Sequence, residues 1–547
     1  MALYFAGHSQ LSAPIVGSLS LRANLGDLMT QMHRASVRAV VTVSLLFILG
    51  AVSPAHSQPV EAPVPRAVCG PGSNPETDRQ GRVPKAEVDS GRAALGYTCN
   101  TELLAHIGPA DFGGPASFQG GAGGYKVFRY VDASRHECAY YDTTLLYPAN
   151  VSAGQEPGVW VLDMSNAHTP NSKPVRTAVL TTQAMLSPHE SLAFNAKRGL
   201  LVAAYGTPET APGQVDIYDV TADCRTPVLL SSLPVGTLGH ESAMAPDGNT
   251  FYIGSLDAGT LTAIDISNPV APVPLWVTDE HRTHGLSLSD DGNRAYLGGR
   301  LTSAGGVTSG FRGLVVLDVS QVQSRVLNPQ VTESSRLDWP IISTPQSTIP
   351  VTIAGHPYLI EFDEFNNGTS VGAARIIDIA DETTPRVISN IKLEVNMAAN
   401  QAESPGQADD YGATALFQGY TAHYCAVPRR FEPGVLACTF ILSGLRLFDI
   451  RDPFHPTEIA YFNAPILPNG NPAYPATAYA MSAPALVPGP GLGEIWYSDG
   501  NSGFYSVRVT NDAWPLPEPG VALAFASGVA LLVALRQHHS RARTPRG

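Results

Sequence analysis

Four histidines stand in closely similar settings along the chain: His189-Glu190-Ser191, His240-Glu241-Ser242, Thr283-His284-Gly285 and Ala422-His423-Tyr424. Several neutral imidazoles gathered at one point form a donor set that suits copper or zinc. A carboxylate beside two of them, Glu190 and Glu241, is placed to take a hydrogen bond from a ring and fix its tautomer. On this reading His189, His240, His284 and His423 are metal ligands of a shared pocket that Glu190 and Glu241 also line. The rival reading is structural, because a repeated unit copies its own packing residues and a histidine at the head of each copy can simply hydrogen-bond neighbouring backbone. His281 and His356 fall outside the pattern and are read as surface or loop residues.

Other chemistry is sparse. Cys425 and Cys438 flank the hairpin Ala426 to Ala437, whose antiparallel strands bring the two sulfurs together for a structural disulfide if the register sets them opposite each other. No His or Cys lies at zinc-finger spacing from either one, which counts against thiolate ligation. Cys69, Cys99, Cys138 and Cys224 can form two further bridges whose pairing the sequence leaves open. The glycines at 114, 120, 121, 123 and 124 lack the lysine and following helix of a phosphate loop, and so read as a plain loop. Asp363 and Glu364 are an acidic pair of the kind that binds calcium, with solvated loop carboxylates as the default reading. No nucleophile elbow or EF-hand is present.

What must position these residues is a repeat. An apolar alternation closing on Asp, then an apolar residue and often a small polar one, returns at Asp163, Asp219, Asp265, Asp318, Asp378 and Asp449, with intervals of 56, 46, 53, 60 and 71 residues. That period is too long for a hairpin and close to the roughly 40 to 50 residues of a four-stranded propeller blade. The unit around Asp265 shows the cycle most plainly. A strand from His240 to Ala245, a Pro246-Asp247-Gly248-Asn249 turn and a strand from Thr250 to Ser255 lead into the strand ending at Asp265, with a fourth from Val273 to Thr278. Asp-Gly between apolar runs is a strong hairpin signal, since glycine reaches the positive φ the turn needs.

Six such units, and a seventh beginning near Tyr479 with strands at Glu494–Ser498 and Gly503–Thr510, predict an all-β, seven-bladed β-propeller over residues 95–512. The seventh lacks a fourth strand. The orphan segment Tyr97 to Ile107 is expected to supply it and close the ring, removing exposed edges. The four histidines would then head the innermost strands of blades two, three, four and six, around the propeller axis.

The phrase Ala263-Ile264-Asp265-Ile266-Ser267-Asn268-Pro269-Val270-Ala271-Pro272 resembles the LVIVD repeat of bacterial and archaeal surface propellers, and the resemblance runs from about Tyr97 to Thr510. It implies fold and surface location; that family carries no general chemistry. The first blade and the Gln/Ala/Gly-rich insertion between Ile388 and Tyr420 depart from the repeat, and the insertion is expected to form a mobile loop. Selenium-binding and methanethiol-oxidase propellers are a distant precedent for an axial metal.

Outside the propeller, Arg34 and Arg38 precede an apolar run from Ala39 to Val52 and the small residues Ala55 and Ser57. This reads as a signal peptide over residues 1–57, with translation starting at Met1, Met29 or Met32. A Pro-rich linker is assigned to 58–94. At the other end Leu516-Pro517-Glu518-Pro519-Gly520, the apolar run Val521 to Leu535 and four arginines resemble the PEP-CTERM sorting signal of Gram-negative bacteria. That tail, 513–547, is expected to hold the chain at the membrane through a transmembrane helix; the resemblance implies that a sorting enzyme of the export machinery cuts near the motif, and a plain C-terminal anchor is the alternative. Of 547 residues 15% are charged and 44% apolar, with 51 Gly and 45 Pro, a balance suited to short strands and tight turns. The net charge of −13 offers no basic face for nucleic acid.

The sequence thus supports an exported, cell-surface binding module for an extracellular protein, glycan or small ligand. Set against it are a copper or zinc enzyme with a histidine centre on the axis and a structural matrix protein.

Overall fold

A computed structural model describes residues 61–515, apart from 113–121, 144–155, 207–212, 238, 256–258, 300–301, 305–306, 310–312, 339–343, 365–371, 402–405, 416–417, 472–473 and 488–492. The leader and the sorting tail lie outside the described residues, among which no helix is long and apolar enough to cross a membrane.

Seven antiparallel sheets of the same build follow one another along the chain. Blade one spans Val127–Val131 to Val175–Leu180, blade two Ala193–Asn195 to Val228–Pro234, and blade three Ser242–Met244 to Val273–Thr278. Blade four runs from Thr283–Leu288 to Thr332–Asp338, with a small hairpin, Thr302–Ala304 and Val307–Ser309, inserted before its third strand. Blade five covers Thr344–Ile353 to Arg386–Ile391, and blade six Ala422–Ala426 to Thr457–Asn463. The protein is a seven-bladed β-propeller.

Each recurring aspartate ends a third strand, and the structure gives its role. The carboxylates of Asp163, Asp265, Asp318, Asp378 and Asp449 accept the backbone N–H two residues on, at 2.8–3.0 Å. These Asx turns steer the chain into the fourth strand. The apolar residues before each aspartate are buried on both faces because blades pack face to face, so the strand reads as a continuous apolar run. Gly248 and Gly292 take φ of 74° in the Asp-Gly turns.

Ring closure uses the orphan segment, divided between two blades. Thr101–Ile107 pairs with Gly503–Val509 as the fourth strand of blade seven, whose other strands are Ala485–Leu486 and Glu494–Asp499. Tyr97–Cys99 instead adds a fifth strand to blade six beside Tyr461–Asn463. Asn100, at φ 53°, makes the break between them, and its amide donates to the carbonyls of Val68 and Ile459.

The stretch assigned to a Pro-rich linker is, over its described residues, folded onto blade six. Val64, Val83 and Val88 are buried. Arg446, fully buried, pairs with Glu76 of this stretch and with Glu458 at 3.0 Å, and Cys69 is bonded to Cys99. The insertion after Ile388 is packed rather than loose over its described part: Asn396, Gln407 and Asp410 are buried, and Asp410 pairs with Arg82 at 2.8 Å. Polar anchors achieve there what an apolar pattern would have announced in the sequence. Cys138–Cys224 and Cys425–Cys438 complete three disulfides with no free cysteine, an arrangement that fits an oxidising compartment.

Candidate functional site

The innermost strands of the seven blades line the axis, and the residues at their heads meet there. The heads of blades two and three are bridged through Glu190 and Glu241, and those of blades one and seven through Lys126 and Ala483. In blades four, five and six the inner strand carries a β-bulge at one position: the register slips across His284, Gln346 and His423 respectively. A bulge re-aims the side chain of its extra residue. Here three blades in succession use it at the head of the inner strand.

Three of the four sequence-identified imidazoles converge with two carboxylates. His240 Nε2 lies 2.8 Å from His284 Nε2 and 3.4 Å from a Glu190 oxygen. His284 Nε2 is 3.3 Å from Glu364 and 3.7 Å from Glu190. His423 Nε2 is 2.9 Å from the other Glu364 oxygen and 3.4 Å from Glu190 Oε1. His284, His423, Glu190 and Glu364 are buried, whereas the His240 side chain keeps 14% of its surface exposed.

The ring tautomers follow from the other nitrogens. His284 Nδ1 lies 2.9 Å from the Pro345 carbonyl and His423 Nδ1 lies 2.8 Å from the Met481 carbonyl. A carbonyl only accepts, so both Nδ1 atoms carry hydrogen, and in a neutral ring Nε2 is left as a lone pair aimed at the centre. Burial pushes the His423 ring towards its neutral form. Lone pairs facing carboxylate oxygens at 2.9–3.4 Å are stable only with a positive species between them, a proton or a metal ion. For bonds of about 2.1 Å, neighbouring ligand atoms sit about 3.0–3.5 Å apart in octahedral or tetrahedral geometry, a spacing that these contacts resemble.

His189 stands at the margin. Its ring lies against Tyr125 and His240, both at 4.4 Å between centroids, and its ligand atom is within 4.8 Å of those of Glu190 and His240. It holds φ of 51°, a conformation that a side chain rarely adopts and that tends to persist at sites under other constraints. Burial brings its pKa down to about 3. Glu241 turns away from the centre to meet Lys126 at 3.2 Å. Glu190 takes a hydrogen bond from Gln346, whose amide also contacts the Tyr424 hydroxyl at 2.9 Å, and burial pushes the Glu190 carboxyl up to about 8.

The pair read as solvated loop carboxylates is neither solvated nor in a loop. Asp363 and Glu364 are buried in the second strand of blade five, where Asp363 binds Arg375 and Glu364 faces the axis. Glu364, Gln346, Lys126 and Tyr125 were not identified as axial from the sequence. For Gln346 a signal existed: it fills in blade five the head position that histidine fills in four and six. Glu364 had none, because it arrives from a second strand.

No protein-family model matches the chain, and no curated protein does. Among solved structures it is similar to a putative 6-phosphogluconolactonase from Bacteroides uniformis, with 13% identity, 67% of this chain and 92% of that one covered, and a TM-score of 0.44. It is also similar to the periplasmic gluconolactonase of Pseudomonas aeruginosa (14% identity, 64% and 92% covered, TM-score 0.41) and to Saccharomyces cerevisiae Sqt1 (10%, 75% and 99%, 0.43).

Proposed function

We propose that this protein is an exported propeller holding one divalent transition-metal ion on its axis. His240, His284 and His423 serve as nitrogen ligands, Glu190 and Glu364 as oxygen ligands, and His189 stands beside the open edge. The observation that carries the reading is the pair of Nδ1–H groups tied to backbone carbonyls, which turns two Nε2 lone pairs on buried carboxylates. Mixed imidazole and carboxylate donors suit zinc, copper or iron better than calcium. The partial exposure of His240 lets a small ligand approach the ion from that side, so the module binds its ligand through the metal. The LVIVD-like repeat and the PEP-CTERM-like tail support a place at the surface of a Gram-negative cell, with the tail anchoring the chain until it is sorted.

The test is metal analysis of the purified propeller after exposure to zinc, copper(II) and iron(II) in turn and exhaustive dialysis. About one equivalent of one metal is expected, falling at least tenfold in His284→Ala and in Glu364→Gln. Bound metal that survives both substitutions, or a wild-type protein that retains none of the three, refutes the centre.

A further inference from the structure

The inner strands that begin with the histidines and acids continue into apolar residues. Phe194, Met244 and Leu288 lie four residues beyond Glu190, His240 and His284, and with Phe128, Ile349 and Phe362 they line a cavity of about 280 Å³ in the lower half of the axis. Lys126, Glu241 and Tyr424 form its inner wall, beneath the histidine cluster.

Among the described residues two cations border this space, and they differ in how they are satisfied. Lys126 is buried and held by buried Glu241 at 3.2 Å, and it also donates to the Ser242 carbonyl. Arg430 sits at the tip of the hairpin that the Cys425–Cys438 bond pins. That hairpin leans over blade five, where the Thr352 and Glu432 N–H groups complete a pair of backbone hydrogen bonds at 2.8 Å, so that Arg430 reaches blade four. There its guanidinium donates to the Leu288 carbonyl and meets Asp290, each at 2.9 Å. Asp290 is 79% exposed, so this pairing is screened by water and exchanges at little cost.

We infer that the lower axial cavity binds a medium-chain carboxylate, its alkyl chain among Phe194, Met244, Leu288 and Ile349 and its head on Arg430. The apolar lining supplies the chain's site, and the volume suits roughly ten to twelve heavy atoms. The weakly committed guanidinium at the rim supplies a forked partner for a carboxylate. The buried Lys126–Glu241 pair closes the inner end and leaves the head no second cation. The proposal does not depend on the metal, which the structure would hold on the other side of that wall.

Isothermal titration with hexanoate, octanoate and decanoate, each below its micellar concentration, tests it on the full propeller. One equivalent is expected, with affinity rising about fourfold per added methylene. Decanol and decyltrimethylammonium are expected to bind at least tenfold more weakly than decanoate. Arg430→Gln, a substitution at the rim, should bring decanoate down to the level of decanol, and Ala243→Phe should fill the space and abolish both. Binding of several equivalents without saturation, a preference for the ammonium amphiphile, an absence of heat at millimolar decanoate, or an unchanged decanoate affinity in Arg430→Gln would each overturn the inference. Glu364→Gln should leave decanoate binding intact, which keeps this result separate from the fate of the metal centre.

Discussion

Replacing His168 by glutamine should weaken the ring at its closing seam, and only below a definite pH. His168 sits in the turn after the third strand of blade one and bridges two carboxylates. Its Nε2 lies 2.8 Å from Glu137 of blade one, and its Nδ1 lies 2.9 Å from Glu494 of blade seven. Arg129 also meets Glu137, and Arg508 donates to the His168 carbonyl while lying 3.5 Å from Glu494. Hydrogen bonds to Glu137 and then Glu494 lift the imidazole from 6.5 to about 9. At about 1.4 kcal/mol per tenfold change such a displacement corresponds to about 3 kcal/mol. The ring is 30% exposed, and solvent screening reduces the figure to about 1–2 kcal/mol. Because the folded pKa is raised, this stability is complete below the unfolded value of 6.5 and is lost as pH climbs through about 9. Urea unfolding followed by far-UV circular dichroism, with disulfides intact, should show wild type losing about 1–2 kcal/mol more than His168→Gln between about pH 6 and about pH 9.5. Equal pH slopes in the two proteins would refute the assignment of His168 as a charged clasp.

The remaining expectations concern buried contacts. Arg446→Met leaves Glu76 and Glu458 without their buried cation, and removing one partner of such a group costs about 3–5 kcal/mol. Urea unfolding should register that loss, and limited proteolysis should find the 61–96 segment newly accessible. Gly285→Ala places a methyl group against the Glu241 carboxylate and within 2.5 Å of the Gln346 carbonyl. It is expected to lower the melting temperature and to reduce bound metal at least severalfold, whereas wild-type behaviour on both counts would mean that the heads of blades three, four and five are not packed as described.

How much of this was legible beforehand can be traced residue by residue. The aspartate-ended phrases and Asp-Gly turns announce blades because Asx turns, positive-φ glycines and apolar strands act over a few residues, and local chemistry survives as local pattern. The histidines at 240, 284 and 423 occupy equivalent blade positions for the same reason, whereas in blade two the strand register gives that place to Glu190 and leaves His189 one residue outside it. The disulfide between Cys425 and Cys438 was foreseeable within one hairpin, whereas Cys69–Cys99 and Cys138–Cys224 needed the fold.

Other features belong to the tertiary structure. The division of residues 97–107 between blades six and seven turns on one left-handed residue, Asn100, and on two partner strands hundreds of positions away. The bulges that aim His284, Gln346 and His423 inward are relations between paired strands and leave no mark in either strand alone. Glu364 joins the axial cluster, and Glu241 leaves it for Lys126, because buried carboxylates go where a cation or a hydrogen-bond donor meets them. Sequence alone determined the repeating unit and its candidate ligands, since each is built from neighbours along the chain. Which of those groups share one volume was decided only when seven sheets closed around an axis and brought the heads of their inner strands together.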